Sequence, residues 1–188
     1  TPRLRFDPGH VVLEGEFPEH QGVRAVFSPR RTVLDAMLVD AAREAGAEVL
    51  EGARLTDLVV DDGAVRGAQG TRRGGEAWRA TAALVIGADG KHSTVAARVG
   101  VRVYRRRPVA AFACYGYVAG MPVTVAEMYQ RPGRAVAVFP TKDDLTMVYV
   151  AGPLREFDEF RRDIGRSYLD SLDRCGDLGP VCGRAGWS

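Results

Sequence analysis

Residues 83–96, which read ALVIGADGKHSTVA, decide how the rest of the chain is interpreted. An uninterrupted apolar run bounded by glycine, such as residues 84–86, is typical of a strand that is covered on both faces in a parallel sheet. The turn at residues 87–90 would then lie beyond the carboxyl end of that strand, where such sheets bind ligands. The stretch therefore predicts a strand, a ligand-binding turn and the start of a helix.

The residue types in this turn suit a ligand that carries sugar and phosphate groups. Gly87 and Gly90 let the backbone turn sharply and approach a ligand without an intervening side chain. Asp89 offers two acceptor oxygens for sugar hydroxyls. Ser93 or Thr94 can cap the following helix, whose free amides would favour a nearby phosphate.

A second Asp-Gly pair in the chain illustrates the alternative interpretation. Asp62 and Gly63 stand between two apolar runs, and this pattern predicts an ordinary β-hairpin turn. After Gly90 the sequence continues instead with Lys-His-Ser-Thr and a helical pattern. The ligand-binding interpretation is therefore favoured for Asp89 and Gly90.

Residues 87–96 resemble the Asp-Gly fingerprint, G-A-D-G-x-x-S-x-V-A/R, of the FAD-dependent aromatic hydroxylases, the group A flavin monooxygenases. The resemblance implies that Asp89 lies near the pyrophosphate and ribose of FAD and near the path of NAD(P)H. FAD is thus the implied cofactor, and NAD(P)H is the implied electron donor. The candidate cofactor-binding residues in this turn are Gly87, Asp89, Gly90 and Ser93.

A helix is predicted to begin at Pro29, with Ser28 as its N-cap, and to end at Gly46. Arg30 and Arg31 stand in its first turn, where cations oppose the helix dipole, and this placement indicates an anionic partner. The R-x-x-L-x-x-x-L pattern that begins at Arg31 also resembles a helix of the same family, whose arginine reaches the phosphate and ribityl region of FAD. Arg31 is therefore a further candidate cofactor-binding residue.

The remaining segments alternate between strand and helix patterns. Strands are predicted at residues 11–13, 23–27, 47–51, 55–60, 64–69, 77–80, 109–118, 123–129, 134–139 and 145–150, and a helix is predicted at residues 154–174. This order predicts an α/β (α+β) fold that combines part of a FAD-binding Rossmann-like domain, with its β-meander, and an antiparallel substrate-domain sheet. The predicted domains are substrate-domain strands in residues 1–28, a partial FAD-binding domain in residues 29–103, the substrate-domain sheet and helix in residues 104–174, and a loose tail in residues 175–188.

The predicted sheet at residues 109–150 is rich in aromatic and methionine side chains. Tyr115 and Tyr117 share one face of their strand, because side chains alternate along a strand. In the resembled family such a sheet lies over the flavin ring. Tyr115, Tyr117, Met128 and Phe139 are therefore candidate binding residues for a hydrophobic small-molecule substrate. For any one of them taken alone, a place in the protein core is the favoured interpretation.

Composition and charge narrow the classes of partner. Hydrophobic residues make up 46% of the chain and charged residues 27%, as in ordinary globular domains. The net charge of +2 gives no reason to expect nucleic acid, and the basic run at residues 105–107 lacks interleaved aromatic side chains. No apolar run approaches the roughly 20 residues that a membrane span requires, so no span is predicted.

The metal-ligating and thiol residues are few and scattered. The three cysteines, Cys114, Cys175 and Cys182, form no C-x-x-C pair, and their odd number argues against a disulfide framework. Neither they nor the three histidines predict a metal site. Unpaired thiols favour a reducing compartment, so the cytoplasm is the expected location.

Two motifs of the resembled family do not occur in the sequence. One is the N-terminal G-x-G-x-x-G unit that receives the ADP pyrophosphate. The other is a C-terminal Gly-Asp motif, since the Gly176-Asp177 pair has the context of a helix end. We therefore expect the sequence to be an internal piece of a flavoenzyme, with low FAD affinity on its own. Because its apolar strands would lack partners, we expect the isolated chain either to form a homodimer through this surface or to be marginally stable.

The leading functional hypothesis is an FAD-dependent monooxygenase that hydroxylates aromatic or other hydrophobic small molecules. Because the flavin carries the chemistry in this class, no catalytic side chain is named. One alternative is a flavin-dependent reductase of the isoprenoid-saturating type, and another is a catalytically inactive binding module derived from a flavoenzyme. A halogenase is disfavoured, because residues 135–140 lack the tryptophans of the W-x-W-x-I-P motif.

Overall fold

The computed structural model describes residues 1–176, Leu178 and Cys182. Among these residues, six strands form one sheet in the order β2-β1-β7-β8-β9-β6, and three strands form a second sheet in the order β3-β4-β5. The strands are β1 (Arg3–Asp7), β2 (Leu13–Glu16), β3 (Ala53–Asp61), β4 (Ala64–Arg72), β5 (Ala77–Thr81), β6 (Ala111–Ala119), β7 (Ala126–Arg131), β8 (Arg134–Pro140) and β9 (Leu145–Pro153). The helices are α1 (Arg31–Glu44), α2 (Thr94–Arg98), α3 (Phe157–Phe160) and α4 (Ile164–Gly176), with a 3-10 turn at Leu154–Glu156. The mixed α/β fold class predicted from the sequence is confirmed.

The chain divides into two compact units. The larger unit comprises Thr1–Met37 and Pro108–Ser188, and it contains the larger sheet. The smaller unit comprises Leu38–Arg107 and contains the smaller sheet. The first turns of α1 thus belong to a different unit from the turn at Asp89.

The larger sheet has one face covered by α3 and α4. Along β9, buried and partly exposed residues alternate without exception, so that Val148 and Val150 point to the covered face. They pack with Phe160 and Leu172 from the helices in one hydrophobic cluster. Strands β6 to β9 pair in the predicted antiparallel way, whereas β1 pairs with β7 in parallel.

The prediction of a single helix at residues 154–174 is wrong, because the chain leaves helical geometry before Asp163. The Asp163 carboxylate accepts a hydrogen bond from the backbone N–H of Arg166 at 3.0 Å, which is the pattern of a helix cap, and α4 begins at the next residue. Within α3 and the residue that follows it, Asp158 forms an ion pair with Arg161, three residues away, at 3.0 Å.

The smaller sheet confirms the hairpin predicted around Asp62 and Gly63. Strands β3 and β4 pair in antiparallel register on either side of this pair, and β5 adds to β4. Asp62 has φ 48° and Gly63 has φ 74°, as in the type I′ turns that favour hairpins. Leu58 and Val59 of β3 are buried.

Three predicted strands form no ladder among the described residues. Residues 47–51 and 84–86 have no sheet partner, and within residues 23–27 only Val23 makes an isolated bridge, to His20. Leu84 and Ile86 are 74% and 80% exposed. An apolar run forms a strand only when it pairs with a neighbouring strand. Without such a partner these side chains remain exposed, which agrees with the unpaired apolar surface expected from the sequence.

The C-terminal tail predicted at residues 175–188 lies mostly outside the described residues. Of those that are described, Cys175, Leu178 and Cys182 are buried against the covered face of the larger sheet. Asp177 is not described, so only Gly176, the last residue of α4, can be placed from the Gly-Asp pair. In the part of the chain that the structure covers, no helix combines the length and apolar character that crossing a membrane requires.

Candidate functional site

The Asp89 carboxylate holds the start of α2. Its Oδ1 accepts a hydrogen bond from the Ser93 hydroxyl at 2.5 Å, and its Oδ2 accepts from the backbone N–H groups of Thr94 and Val95 at 2.6 and 3.1 Å. The Ser93 Oγ in turn accepts from the backbone N–H of Ala96 at 2.9 Å. The predicted cap by Ser93 is thus confirmed, and Asp89 and Ser93 form one hydrogen-bonded unit.

These bonds determine which hydrogen-bond donors and acceptors of the turn remain available to a ligand. The amides that were expected to favour a phosphate are already satisfied by Asp89 and Ser93. In contrast, Asp89 Oδ1 accepts one side-chain hydrogen bond among the described residues, that from Ser93, and a carboxylate oxygen can accept two. Since Asp89 is exposed, its carboxylate retains the capacity to accept a hydroxyl group of a ligand.

Electrostatics keep this carboxylate ionised. Hydrogen bonds from the Ser93 hydroxyl and from the Val95 amide lower the pKa of Asp89 from its ordinary value of 3.8. A lowered pKa in the folded state means that the carboxylate contributes stability above the ordinary value and loses it as the pH falls through the lowered value. At neutral pH Asp89 therefore acts as an acceptor only.

The turn requires glycine at positions 87 and 90 for two different structural reasons. At Gly87, an added Cβ would lie 2.8 Å from the Cγ1 of Val95, so that only glycine permits the close packing of the turn on α2. Gly90 has φ 80°, a left-handed conformation that glycine adopts freely. Apart from Gly90 and its two chain neighbours, no heavy atom of the described residues lies within 4 Å of the position of a Cβ at Gly90, so the backbone there is open to approach.

The two Asp-Gly pairs differ in structure as the sequence predicts. Asp62 and Gly63 connect two paired strands, whereas Asp89 and Gly90 belong to no strand pair and lead into a helix. In the described part of the chain, residues 87–90 are all exposed. The turn at Asp89 is therefore not a hairpin turn.

Arg31 is the first residue of α1 and already has an anionic partner in the chain. Its Nε and Nη2 donate to the two carboxylate oxygens of Asp35 at 2.8 and 3.0 Å. This hydrogen bonding raises the pKa of Arg31 and lowers that of Asp35. The spacing of four residues would have been sufficient to find this pair in the sequence. A role for Arg31 towards FAD stays a prediction.

The four candidate substrate-binding residues share the uncovered face of the larger sheet. In the sheet register Tyr115 is opposite Tyr149, which is opposite Ala137, and Ala137 is opposite Met128. A neighbouring row places Tyr117 opposite Met147 and Met147 opposite Phe139. Directly opposed residues point to the same side. We call the side chains of Tyr115, Tyr117, Met128, Phe139, Met147 and Tyr149 the open face.

Exposure distinguishes the open face from the covered face. Tyr115 is 61% exposed and Met128 is 41% exposed, and the other four residues are partly buried. The rings of Tyr115 and Tyr117 meet edge to face, with their centroids 6.1 Å apart. This surface is apolar and accessible, and it is the type of surface that lines a pocket for a hydrophobic ligand. Binding of a substrate to it stays a prediction.

Sequence reasoning missed three residues of this region. Met147 and Tyr149 could have been found from the strict alternation along β9. For Arg30 the sequence indicated an anionic partner but not its place beside the sheet, where its guanidinium lies over the Tyr117 ring, 4.7 Å from the centroid. No group of three or more metal-ligating side chains comes together among the residues that the structure describes.

Replacing Ser93 with alanine tests the cap directly. The variant loses the hydroxyl that bonds both Asp89 and the Ala96 amide, so we expect it to destabilise the smaller unit by about 1 kcal/mol. Hydrogen exchange of the amides of residues 94–98 should accelerate accordingly. Ser93→Thr keeps the hydroxyl and should retain wild-type protection. Equal exchange in Ser93→Ala and wild type would show that the cap is not formed in solution.

Comparison with known proteins places this chain in a family. The sequence profile described as "FAD binding domain" matches residues 9–164, which is most of the chain. Digeranylgeranylglycerophospholipid reductase of Methanosarcina mazei is 37% identical over 142 residues, covering 72% of this chain and 34% of the relative. The same-named protein of Methanosarcina acetivorans is 34% identical over 129 residues, covering 65% of this chain and 31% of the relative. The chain thus spans about a third of the length of these curated relatives.

Solved structures of flavoproteins share the fold. The myxobacterial chondrochloren halogenase CndH has a TM-score of 0.85 at 19% identity, over 99% of this chain and 45% of its own. The flavin-dependent halogenase CmlS has a TM-score of 0.79 at 24% identity, over 100% of this chain and 36% of its own. PqsL from Pseudomonas aeruginosa, a probable FAD-dependent monooxygenase, has a TM-score of 0.72 at 19% identity, over 100% of this chain and 55% of its own. With the profile match over residues 9–164, the chain belongs to the FAD binding domain family.

Proposed function

We propose that this chain forms part of an FAD-dependent oxidoreductase that acts on a hydrophobic small molecule. The observation that carries the proposal is the Asp89 turn, which lies within the profile match and in which the aspartate is ionised, exposed and has acceptor capacity left on Oδ1. The residues present fit the cofactor, since an ionised carboxylate suits a ribose hydroxyl and Gly90 leaves room for close approach. The open face would supply an apolar surface for the substrate, which is supported by the exposure of Tyr115 and Met128.

The chain's own residues would bind and orient, while bound FAD would supply the redox chemistry. Asp89 would accept a hydroxyl of the cofactor, and the bonds to Ser93 and to the helix amides would fix the direction of its carboxylate. Arg31 would have to exchange its Asp35 partner for a phosphate to bind the cofactor. The open face would hold the apolar part of the substrate and exclude water from it.

Two reactions are consistent with this arrangement. Reduction of isoprenoid double bonds is our first choice, because relatives up to 37% identical to this chain bear the name digeranylgeranylglycerophospholipid reductase. Monooxygenation, the leading hypothesis from the sequence, is the second candidate, since the Asp-Gly fingerprint at residues 87–96 resembles that of the aromatic hydroxylases. NAD(P)H as the electron donor, a homodimeric assembly and a cytoplasmic location remain parts of the proposal.

Oxygen consumption separates the two reactions. The full-length protein would be reduced anaerobically and mixed with a geranylgeranyl lipid, and reoxidation of the flavin would be followed by absorbance. If the protein is a reductase, its flavin is reoxidised when the lipid is added in the absence of oxygen. In the presence of oxygen, its oxygen consumption does not rise in proportion to the product formed. Substrate-dependent oxygen uptake equal to NADPH consumption would contradict the reductase and support the monooxygenase. A full-length protein that binds no flavin would contradict both.

A further inference from the structure

Arg30 lies at the border of the open face and contacts it directly. Its guanidinium carbon is 4.7 Å from the centroid of the Tyr117 ring, in the range of a cation–π contact. Tyr117 also packs edge to face against Tyr115, so the cation and the two rings form one continuous group. The contact places a positive charge beside an apolar surface.

The backbone on both sides of Arg30 is anchored. Thr141, which follows β8, donates its hydroxyl to the carbonyl of Ser28 at 2.7 Å. On the other side, the Arg30 carbonyl accepts the N–H groups of Val33 and Leu34 at 2.9 and 3.0 Å, which fixes it to the start of α1. The position of the guanidinium is therefore set by the fold and by Tyr117, not by a free loop.

The charge of Arg30 is not neutralised within the described part of the chain. No carboxylate among the described residues lies within ion-pair distance of Arg30, whereas its neighbour Arg31 is paired with Asp35 at 2.8 Å. Arg30 is also only partly exposed, whereas Arg31 is exposed, so the charge of Arg30 is less well solvated by water than that of Arg31. A half-buried, unpaired arginine beside an apolar surface favours an anionic ligand.

The chemistry of the guanidinium defines that ligand. Stacking on Tyr117 uses the flat face of the group and leaves the N–H donors along its edge available. Those donors match the two oxygens of a carboxylate or a phosphate. We propose that Arg30 determines substrate specificity by binding the anionic group of an amphiphile whose apolar part lies on the open face. The inference rests on the proposed function, because it assigns the substrate class to that site.

A purely structural role for Arg30 predicts different behaviour. If the cation–π contact served only to hold the segment before α1, removing the guanidinium would weaken the binding of charged and neutral ligands alike. If Arg30 recognises an anion, only the charged ligand loses affinity. The difference between two ligands with the same apolar chain therefore separates the roles.

The test uses the full-length protein and three probes, decyl phosphate, decanoate and decanol, each below its critical micelle concentration and titrated by calorimetry. Wild type should bind at least one of the two anions about 10-fold to 100-fold more tightly than decanol, and Arg30→Met should remove that preference while decanol binding stays unchanged. Comparing phosphate with carboxylate identifies the anionic group. Arg162→Met, which changes an exposed arginine away from the open face, should behave as wild type.

Three results would overturn the inference. They are equal affinity of wild type for charged and neutral probes, an equal loss of both in Arg30→Met, and no binding of any probe by wild type. The FAD content of each sample is measured separately by absorbance. A protein without FAD would overturn the proposed function, whereas a flavin-loaded protein without charge preference would overturn the role of Arg30 alone.

Discussion

Replacing Asp89 with alanine is expected to lower the affinity of the full-length protein for FAD by roughly 100-fold. The substitution removes an ionised acceptor that faces solvent and, at the same time, the bonds that hold Ser93 and the amides of Thr94 and Val95. A charge-assisted hydrogen bond contributes about 1.5–3 kcal/mol and a helix cap about 1 kcal/mol. Titration of the apoprotein with FAD, followed by flavin fluorescence, measures the effect.

Asp61→Ala is the matched control for this prediction. Asp61 is an exposed aspartate at the end of β3, directly before the hairpin turn, and it belongs to the other Asp-Gly region. Its removal should leave FAD affinity unchanged. Wild-type FAD affinity in Asp89→Ala would contradict the assignment of the Asp89 turn to the cofactor site, provided that urea unfolding shows the variant to be folded.

Replacing Leu172 with alanine is expected to destabilise the larger unit by about 2–5 kcal/mol. Leu172 of α4 has no exposed surface, and it packs in the cluster that joins the helix to Val148 and Val150 of the sheet. Truncation removes its burial and leaves a cavity that the closely packed strands cannot fill. Urea unfolding followed by tyrosine fluorescence should show a lower midpoint with an unchanged slope.

Leu154→Ala provides the same chemical change at a position that is 41% exposed. It should cost less than half as much stability, since little burial is lost. Equal destabilisation by the two substitutions would show that α4 does not cover the sheet as described. The covered face matters for function because it holds β6 to β9, and with them the side chains of the open face, in a fixed register.

The features that depend on neighbours in sequence could be predicted. The Asp62-Gly63 hairpin follows from turn chemistry and its flanking apolar residues, and the structure has the expected positive φ values there. The cap by Ser93 follows from its position before a helical pattern. The strands of residues 111–153 follow from alternation, which also indicated that Tyr115 and Tyr117 share a face.

The features that depend on distant residues could not be predicted. The parallel pairing of β1 with β7 joins segments more than 100 residues apart, and no local pattern indicates it. Residues 84–86 have the composition of a buried strand but no partner among the described residues. The contact of Arg30 with Tyr117 likewise arises only when the sheet and the start of α1 come together.

One correction at the site has a local cause that the sequence contained. The amides at the start of α2 were expected to be free for a phosphate, but Asp89 stands five residues before Thr94 and reaches two of them. The aspartate expected to bind the ligand thus also completes the helix cap. This dual use leaves the ligand part of the acceptor capacity of the Asp89 carboxylate instead of free amides for an anion.

Hydrogen exchange of residues 87–95 in the full-length protein, with and without FAD, tests most directly whether the Asp89 turn lies at the cofactor. Added FAD should slow exchange of these amides in wild type, with no change at residues 61–64 of the hairpin turn, and Asp89→Ala should remove the effect. Unchanged exchange at residues 87–95 in a protein that binds FAD stoichiometrically would contradict the placement of this turn at the cofactor.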